Sequence, residues 1–351
     1  MKRLACGMLV MGLVWALGGA GVAATPVDLG ITVPGPAAKT NSWTTLLATD
    51  ASGGVYACDG DTIWRLDAAG GAFSAVFAGV GSAADAGVDP SGFAVNAAGT
   101  TAYVATGVSG RIVEVDLAGG SARELSGARA GASNYGLAMD PIHGQLFATD
   151  SYTQELWKVD PAGTGSLTSL DTFSWTGWFG SGIGFAPDGT LVVPVATGFS
   201  DWENDKDDYP TDVYRFTREW LDAVAAGSVP VGASQKYATG VQVSGSGVVA
   251  VDVRGDAYLL ATDAVYQVKA NGAVDVFVGD ASLNAFSLWG CGYTGMAYDA
   301  AADRLLFVYR ASAGQDWGLY EVALPEPATA LLLLGGTAGA MLLRRRRMAR
   351  R

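Results

Sequence analysis

The chain has 351 residues, of which half are apolar and 49 are glycine. Two of its 22 basic residues precede residue 25 and six follow Leu343, so the body between them has 14 basic against 34 acidic residues. A body this acidic argues against nucleic acid as a partner. The apolar content excludes a disordered stalk, because the chain can bury a large core.

Residues 1–24 have the three parts of a secretory signal peptide. Lys2 and Arg3 give the positively charged start, an apolar run follows, and small residues ending at Ala24 form a cleavage site. Cys6 precedes most of the apolar run, so we interpret it as part of the signal peptide rather than as a lipid attachment site. The sequence therefore predicts that the protein is exported.

A repeat of blade size fills the chain between Ser42 and Ala323. The small residue of its first strand recurs at Ala48, Ala94, Ala138, Gly184, Ala250 and Ala297, at steps of 46, 44, 46, 66 and 47 residues. Two positions later five of the six units have a residue that can bond the coming turn, namely Asp50, Asn96, Asp140, Asp252 and Asp299. The fourth unit has Ala186 there, and Asp188-Gly189 supplies its turn. This marker counts six units.

A second marker gives the same count. The third strand of each unit has an apolar or aromatic residue, a polar one and an apolar one, in triplets that begin at Trp64, Val113, Trp157, Tyr214, Tyr266 and Tyr320. A Gly-rich turn and a fourth alternating run follow most of them, which is typical of a propeller blade. The sequence predicts an all-β, six-bladed β-propeller over residues 25–323. The alternative is an open or sandwich-like all-β domain with coincidental repetition.

The sixth unit has only three strands before the tail begins. The stretch between Thr25 and Lys39 is too short for a blade of its own. We therefore expect Val27–Val33 to pair as the missing strand of the last blade, so that the two chain ends lock the ring.

Two cysteines lie beyond the predicted signal peptide. Cys58 lies in the first unit and Cys291 at the start of the sixth, which are neighbours in a ring. Because export favours oxidation, a Cys58–Cys291 disulfide is one interpretation, and two buried free thiols are the other.

His143 is the only histidine and lies at a turn tip, so we expect a solvated turn residue. A single histidine argues against multi-histidine zinc sites and Ser-His-Asp catalysis.

The fourth unit is the irregular one. Its insertion, residues 199–212, has alternate acids that could gather around Ca²⁺, which prefers oxygen ligands: Asp201, Glu203, Asp205 and Asp207, with Asp208 and Asp212 nearby. Lys206 occupies the place where a calcium loop turns sharply on glycine, so a solvated acidic loop is the alternative. A short helix over residues 217–226 should follow, ended by Gly227 and Pro230.

An aromatic cluster precedes the fourth unit. It consists of Phe173, Trp175, Trp178 and Phe179. Rings on the rim of a propeller could stack on sugar faces. A place in the core is the other interpretation and the one that we favour.

The C-terminal residues 324–351 combine three features. Pro325-Glu326-Pro327 ends the body, an uncharged run covers residues 330–343, and arginines follow at Arg344, Arg345, Arg346 and Arg347. As a helix the apolar segment is slightly short for a bilayer core, and arginine side chains can extend to the interface to cover the difference. The basic cluster predicts a cytoplasmic end, with the body on the other side of the inner membrane.

This order of elements resembles the PEP-CTERM sorting signal of Gram-negative bacteria, also known as the ice-binding-protein C-terminal motif. The resemblance implies processing near Pro325-Glu326-Pro327 by an exosortase-type membrane enzyme, and release to the cell surface or an exopolysaccharide matrix. It implies nothing about ice binding. A plain C-terminal membrane anchor is the alternative, although it has no use for the Pro-Glu-Pro.

The body resembles the broad group of NHL-like and YVTN-like propellers, on repeats such as LAMDPIHGQLFATD and ELWKVDPAG. The resemblance implies a choice among scaffolds, binding proteins and calcium-dependent lactonases or esterases, which the fold alone does not decide. We expect a non-catalytic, exported propeller that binds an exopolysaccharide or envelope protein, without a certain cofactor. The alternative is a calcium-dependent hydrolase with acids or amides such as Asn134, Asp140 or Asp252 at the channel.

Overall fold

The structure is a computed structural model. It describes residues 24–34, 45–67, 71–81, 90–106, 111–126, 135–150, 155–160, 167–172, 182–196, 209–228, 234–243, 248–260, 264–279, 295–309 and 317–324. These residues form one helix and six antiparallel sheets of four strands each. We call the six sheets blades I to VI in chain order. The predicted six-bladed propeller is thereby confirmed, and the sandwich alternative is wrong.

Each blade is an up-and-down sheet that the chain builds from the ring axis outwards. Blade I consists of β2 (Leu46–Thr49), β3 (Val55–Cys58), β4 (Thr62–Leu66) and β5 (Phe73–Ala78). Blade II consists of β6 (Pro90–Val95), β7 (Thr101–Thr106), β8 (Arg111–Asp116) and β9 (Ser121–Ser126). Blade III consists of β10 (Tyr135–Met139), β11 (Leu146–Asp150), β12 (Glu155–Val159) and β13 (Leu167–Thr172).

The second half of the ring repeats this order. Blade IV consists of β14 (Gly184–Phe185), β15 (Leu191–Ala196), β16 (Tyr209–Phe216) and β17 (Ser234–Val243). Blade V consists of β18 (Val249–Val251), β19 (Ala257–Leu260), β20 (Val265–Val268) and β21 (Val274–Val278). Blade VI consists of β22 (Met296–Asp299), β23 (Arg304–Tyr309), β24 (Trp317–Ala323) and, as its outermost strand, β1 (Val27–Val33). The predicted closure by an N-terminal strand is confirmed.

The first strands contact one another around the whole ring, and β2 contacts β22 to complete the circle. At this junction the Thr49 hydroxyl donates to the carbonyl of Tyr298 at 2.8 Å. Small residues are needed here because the backbones approach closely. A Cβ built on Gly295 would lie 2.6 Å from the Leu47 nitrogen and 2.7 Å from the Thr45 carbonyl oxygen.

Apolar side chains fill the gaps between blades, and this packing holds the ring together. Between blades III and IV, for example, Phe147 and Leu156 share one buried cluster with Val193 and Phe216. Between blades VI and I, Val33 of the closing strand packs with Val55 and Leu306. Each blade thus has both faces covered, as the ring argument requires.

The irregular blade IV owes its length to more than a loop. Residues 209–212, expected in an acidic loop, belong to β16, and helix α1 (Arg218–Ala225) follows that strand. Thr217 caps α1 by accepting a hydrogen bond from the Trp220 amide, and Gly227 with a φ of 81° comes just after the helix, as predicted. The Trp220 ring packs on Phe216 at 4.7 Å between ring centroids, which fixes the helix against the blade.

Candidate functional site

The propeller has two faces that differ in their chemistry. First strands begin and second strands end at one face, which we call the start face. At the other, which we call the turn face, tight turns join first to second strands, and the third strands end. In the described part of the chain, the buried polar and charged side chains all lie near strand ends at one of these two faces.

At the turn face the polar residue of each repeat is used within its own turn, as the sequence predicts. The Asp50 carboxylate accepts from the amides of Ser52 and Gly54, both at 2.8 Å, and the Asp252 carboxylate accepts from those of Arg254 and Asp256 at 2.8 and 3.0 Å. Asn96, Asp140, Asp188 and Asp299 accept turn amides in the same way. These side chains therefore hold the turns.

Neighbouring turns also bind one another across the blades. The Tyr56 hydroxyl donates to Asp50 in its own blade and to the Gly99 carbonyl of the next one. A Cβ on Gly99 would lie 2.5 Å from both Asp50 Oδ2 and the Tyr56 hydroxyl, so glycine permits this contact. Arg254 of blade V pairs with Asp303 of blade VI at 2.6 Å. These contacts link neighbouring blades to one another at the turn face.

His143 is more engaged than the sequence suggests. Its Nδ1 lies 2.6 Å from Asp140 Oδ2 in the same turn, and its Nε2 lies 3.2 Å from Asp222 Oδ1 in α1. The Arg218 guanidinium packs against the same ring at 2.8 Å. His143 is an exposed turn residue, as expected, and it also links blade III to the helix of blade IV.

Two turn carboxyls at the same repeat position have opposite pKa shifts. Burial alone would raise the pKa of Asp50, but hydrogen bonds from Ser52, Gly54 and Tyr56 outweigh it and hold that pKa below its ordinary value. Burial raises the pKa of Asp252, and the hydrogen bonds from the Asp256 and Arg254 amides do not offset it. The difference gives a test of opposite sign at equivalent sites.

We expect Asp50→Asn and Asp252→Asn to change the pH dependence of stability in opposite directions. The contribution of Asp50 titration is present above the unfolded pKa and is lost as pH falls, so the cost of Asp50→Asn should be larger at pH ~6.5 than at pH ~3.5. The contribution of Asp252 titration is lost as pH rises through its raised folded pKa, so the cost of Asp252→Asn should be smaller at pH ~6.5. Urea unfolding at both pH values measures this, and equal trends would contradict it.

The start face has buried polar residues of a different kind. They follow or end the second strands, or lie at the neighbouring ends of first and third strands: Thr45, Asp59, Thr106, Thr149, Asp150, Thr211 and Asp212. Asp59 is used locally, because it accepts from the amides of Asp61 and Thr62 and from the Trp64 indole. Burial raises the pKa of the Asp59 carboxyl.

Four of these residues concentrate in two adjacent blades. Thr149 and Asp150 end β11 of blade III, and Thr211 and Asp212 lie near the start of β16 in blade IV. Asp150 is 1% exposed and Asp212 is 9% exposed, and both are oriented by interactions within the fold. Oriented, nearly water-free carboxylates attract cations strongly, because the local dielectric constant is low.

The cross-strand register shows which way two of these side chains face. Thr149 is paired with Leu156, and Asp212 is paired with Val195. Paired residues of antiparallel strands project to the same side, and Leu156 and Val195 both belong to the cluster between blades III and IV. Thr149 and Asp212 therefore face the same inter-blade gap at the start face.

Most of the site residues predicted from the sequence lie outside the described residues. This holds for the proposed calcium ligands Asp201, Glu203, Asp205 and Asp207, for the aromatic cluster at residues 173–179, for Asn134, and for the sorting signal with Pro325, Glu326, Pro327 and Arg344 to Arg347. The described strands on either side of the acidic segment, β15 and β16, end and begin at the start face, and Asp212 belongs to the second of them.

Two predicted channel candidates are in the wrong place for a ligand site. Asp140 and Asp252 lie at the turn face, where each is bound within its own turn. In the ranges that the structure describes, no group of three or more His, Cys, Asp or Glu side chains could hold a metal ion.

The predicted disulfide has one partner in the described part of the chain. Cys58 is a fully buried free thiol, and burial raises its pKa to about 12. Cys291 lies outside the described residues, so the bridge stays a prediction, and the described cysteine agrees with the free-thiol alternative.

The described ranges contain no helix that is long and apolar enough to cross a membrane. The predicted C-terminal membrane helix, residues 330–343, falls outside those ranges.

Comparison with solved structures identifies other propellers of similar shape. A gluconolactonase from Xanthomonas campestris is 16% identical with a TM-score of 0.54, over 82% of this chain and 87% of that one. The calcium-binding protein regucalcin from Agrobacterium tumefaciens is 15% identical with a TM-score of 0.50, over 84% and 94%. An auxiliary nutrient binding protein from Bacteroides thetaiotaomicron is 13% identical with a TM-score of 0.54, over 82% and 70%.

These likenesses establish the fold. No protein-family model matches the chain, and no curated protein matches it in sequence. At identities this low, a shared propeller does not transfer a ligand or a reaction. The function has to be argued from the residues of the start face.

Proposed function

We propose that this chain is a calcium-dependent hydrolase of the lactonase or esterase kind, with its site at the start face of blades III and IV. The observation behind the proposal is that buried Asp212 and Thr149 face the same gap between blades III and IV at that face. The turn-face carboxylates are instead bound within their turns. Similarly shaped propellers that bear the names gluconolactonase and calcium-binding protein support this choice over a purely structural role.

The residues of the start face fit calcium in donor type. Carboxylate and hydroxyl oxygens are the ligands that Ca²⁺ prefers, and it takes six to eight of them. Asp212, which faces the gap between blades III and IV, would hold the ion, and acids of the segment that joins β15 to β16, Asp201 to Asp207, would complete the set. Asp150 follows Thr149 directly and projects to the other side of blade III, so we do not count it as a ligand. A bound calcium ion would polarise the carbonyl of a lactone or ester.

The chain's own residues would position the substrate. The Thr149 hydroxyl faces the same gap as the Asp212 carboxylate, so blade III offers a hydroxyl and blade IV a carboxylate to the space where the two blades meet. Substrates with several hydroxyl groups, such as sugar lactones, suit such a pair because each hydroxyl both donates and accepts. The buried strand ends would keep this pair in place and exclude bulk water from one side of the substrate.

Asp212→Asn is expected to weaken calcium binding at least about tenfold, because a buried carboxylate that coordinates the ion loses its charge. Isothermal titration with CaCl₂ measures the binding, and hydrolysis of a panel of sugar lactones and short-chain esters measures the activity. Asp275→Asn, in the half-exposed outer strand β21, is the matched control and should leave both unchanged.

The proposal fails if the wild-type protein binds no calcium and hydrolyses none of these compounds. It also fails if calcium binding is unaffected in Asp212→Asn. Calcium binding without hydrolysis would keep the site and remove the reaction.

The terminal sequences favour a second candidate, a surface- or matrix-associated binding protein. A signal peptide and the Pro325-Glu326-Pro327 tail would export the body and pass it to an exosortase-type enzyme, and the acidic propeller would bind an exopolysaccharide or an envelope protein. Its test is retention of the purified body on the host's own exopolysaccharide and envelope fractions. Retention without hydrolysis would favour this candidate, and retention on neither would remove it.

A further inference from the structure

Apolar residues form a ring on the turn face, and their side chains take no part in the hydrogen bonds of the turns. Three positions after the small residue of each first strand, all six blades have an exposed apolar residue: Ala51, Ala97, Pro141, Pro187, Val253 and Ala300. Blade III adds Ile142, which is 55% exposed, as is Val253. We call these seven residues the apolar annulus. Two of the seven, Ile142 and Val253, are large side chains, and exposed apolar residues that collect on one face indicate a contact surface.

In blades V and VI the charged groups next to the apolar annulus are paired with one another. Arg254 lies 3.3 Å from Asp252 and 2.6 Å from Asp303, and Arg304 lies 2.9 Å from Asp299. Exposed acids remain at Asp188, beside Pro187 in blade IV, and further out on the turns that lead to the fourth strands, at Asp67 and Asp116. The centre of the turn face is therefore the less charged part of an acidic body.

The chain leaves the body at this same face. As the third strand of blade VI, β24 runs from the start face to the turn face. Leu324 follows it, is buried at 5% exposure, and donates its amide to the Asp303 carbonyl at 3.0 Å. The exit point is thus fixed by packing and a hydrogen bond.

The distance available to the tail is short. Five residues, 325–329, separate Leu324 from the apolar run at residues 330–343. Fully extended, they reach at most about 18 Å. The seven residues of β24 span about 23 Å from one face to the other. The apolar run therefore cannot begin at the level of the start face.

We propose that, when residues 330–343 are inserted in a bilayer, the turn face lies against the lipid surface and the start face points away from it. The proposal rests on the predicted insertion of the tail and does not depend on the reaction proposed for the start face. The apolar annulus contacts the interfacial layer of the lipid, and the outer acids keep the contact shallow because anionic headgroups repel them. The start face consequently remains open to solvent while the protein is anchored.

The test uses the full chain in phosphatidylcholine vesicles containing a headgroup spin-labelled lipid that quenches fluorescence. A bimane label is attached at Val253→Cys on the turn face or at Ala78→Cys, the exposed last residue of β5 on the start face. Cys6 and Cys291 are replaced by serine, and Cys58 is buried and remains. Ala97→Cys is a second turn-face position if Val253→Cys does not fold.

We expect the turn-face label to lose about half of its fluorescence and the start-face label to lose little, because quenching by the headgroup label falls off within the interfacial layer. Equal quenching at both positions, or stronger quenching at residue 78, would overturn the orientation. Failure of the full chain to float with the vesicles would overturn it as well. Hydrolysis and calcium binding are measured separately, so a failure of the orientation is distinguishable from a failure of the proposed function.

Discussion

Replacing Gly295 with alanine is expected to lower the free energy of unfolding by about 3 kcal/mol or more, because the new methyl group would overlap backbone rather than a movable side chain. The Cβ would lie 2.6 Å from the Leu47 nitrogen, 2.7 Å from the Thr45 carbonyl oxygen and 3.0 Å from the Leu46 carbonyl carbon. These atoms belong to the first strand of blade I. To relieve the overlap, blade VI has to move away from blade I at the junction that completes the ring.

Urea unfolding of residues 25–324, followed by tryptophan fluorescence, measures this loss. Gly71→Ala is the control, since an added Cβ there meets only Asp67 Oδ2 at 4.0 Å. It should change stability by no more than about 0.5 kcal/mol. Equal stability of the two variants would mean that blades VI and I are not in contact as described.

Val33→Asn should destabilise the protein by about 3 kcal/mol, through lost apolar burial and the cost of burying an amide. Val33 is 1% exposed and packs between blades VI and I, in the strand that closes the last blade. A weakened β1 should also detach before the rest of the ring, because β1 is the outermost strand of its sheet and, among the described strands, pairs with β24 alone. Limited proteolysis should then cleave the N-terminal segment first.

Val27→Asn is the matched control in the same strand, where the side chain is 55% exposed. It should stay within about 0.5 kcal/mol of the wild type. If both variants have the same free energy of unfolding, the Val33 end of β1 is not buried, and the predicted locking of the ring by the N-terminal strand is wrong.

The fold was accessible from the sequence because the repeat has chemical causes. The innermost strands need small residues such as Ala138 and Gly184, and the turns need a carboxylate or amide such as Asp50 or Asn96. Both requirements recur once per blade, so the count of six follows from either. The closing strand followed from the sixth unit, which lacks one strand.

The candidate site was less accessible. The sequence points to the acidic run and to Asp140 and Asp252, whereas the buried carboxylates at the start face of blades III and IV are Asp150 and Asp212. Asp150 ends the strand Leu146–Asp150, which has the same pattern as the second strands of other blades. Asp212 lies in a stretch whose acidic composition predicts a loop, but it belongs to a strand. A polar residue after or at the end of a second strand, as at Asp59, Thr106 and Asp150, was a usable signal. Single positions do not reveal that blades III and IV bring Thr149 and Asp212 to one gap.

His143 shows a second limit of the sequence. Its turn was predicted correctly, but its contact with Asp222 depends on α1 being folded back against the turn of the preceding blade. That placement is set by packing of Trp220 on Phe216 and not by local pattern. Long-range contacts of this kind require the coordinates.

The most direct measurement of the central claim is hydrogen–deuterium exchange of the protein with and without calcium. If the ion binds at the start face of blades III and IV, peptides covering residues 146–155 and 191–216 should become protected, because ligand binding suppresses local opening there. Peptides of the turn face, such as residues 140–144 and 252–256, should not change. Protection confined to the turn face, or no protection at saturating calcium, would contradict the assignment of the site.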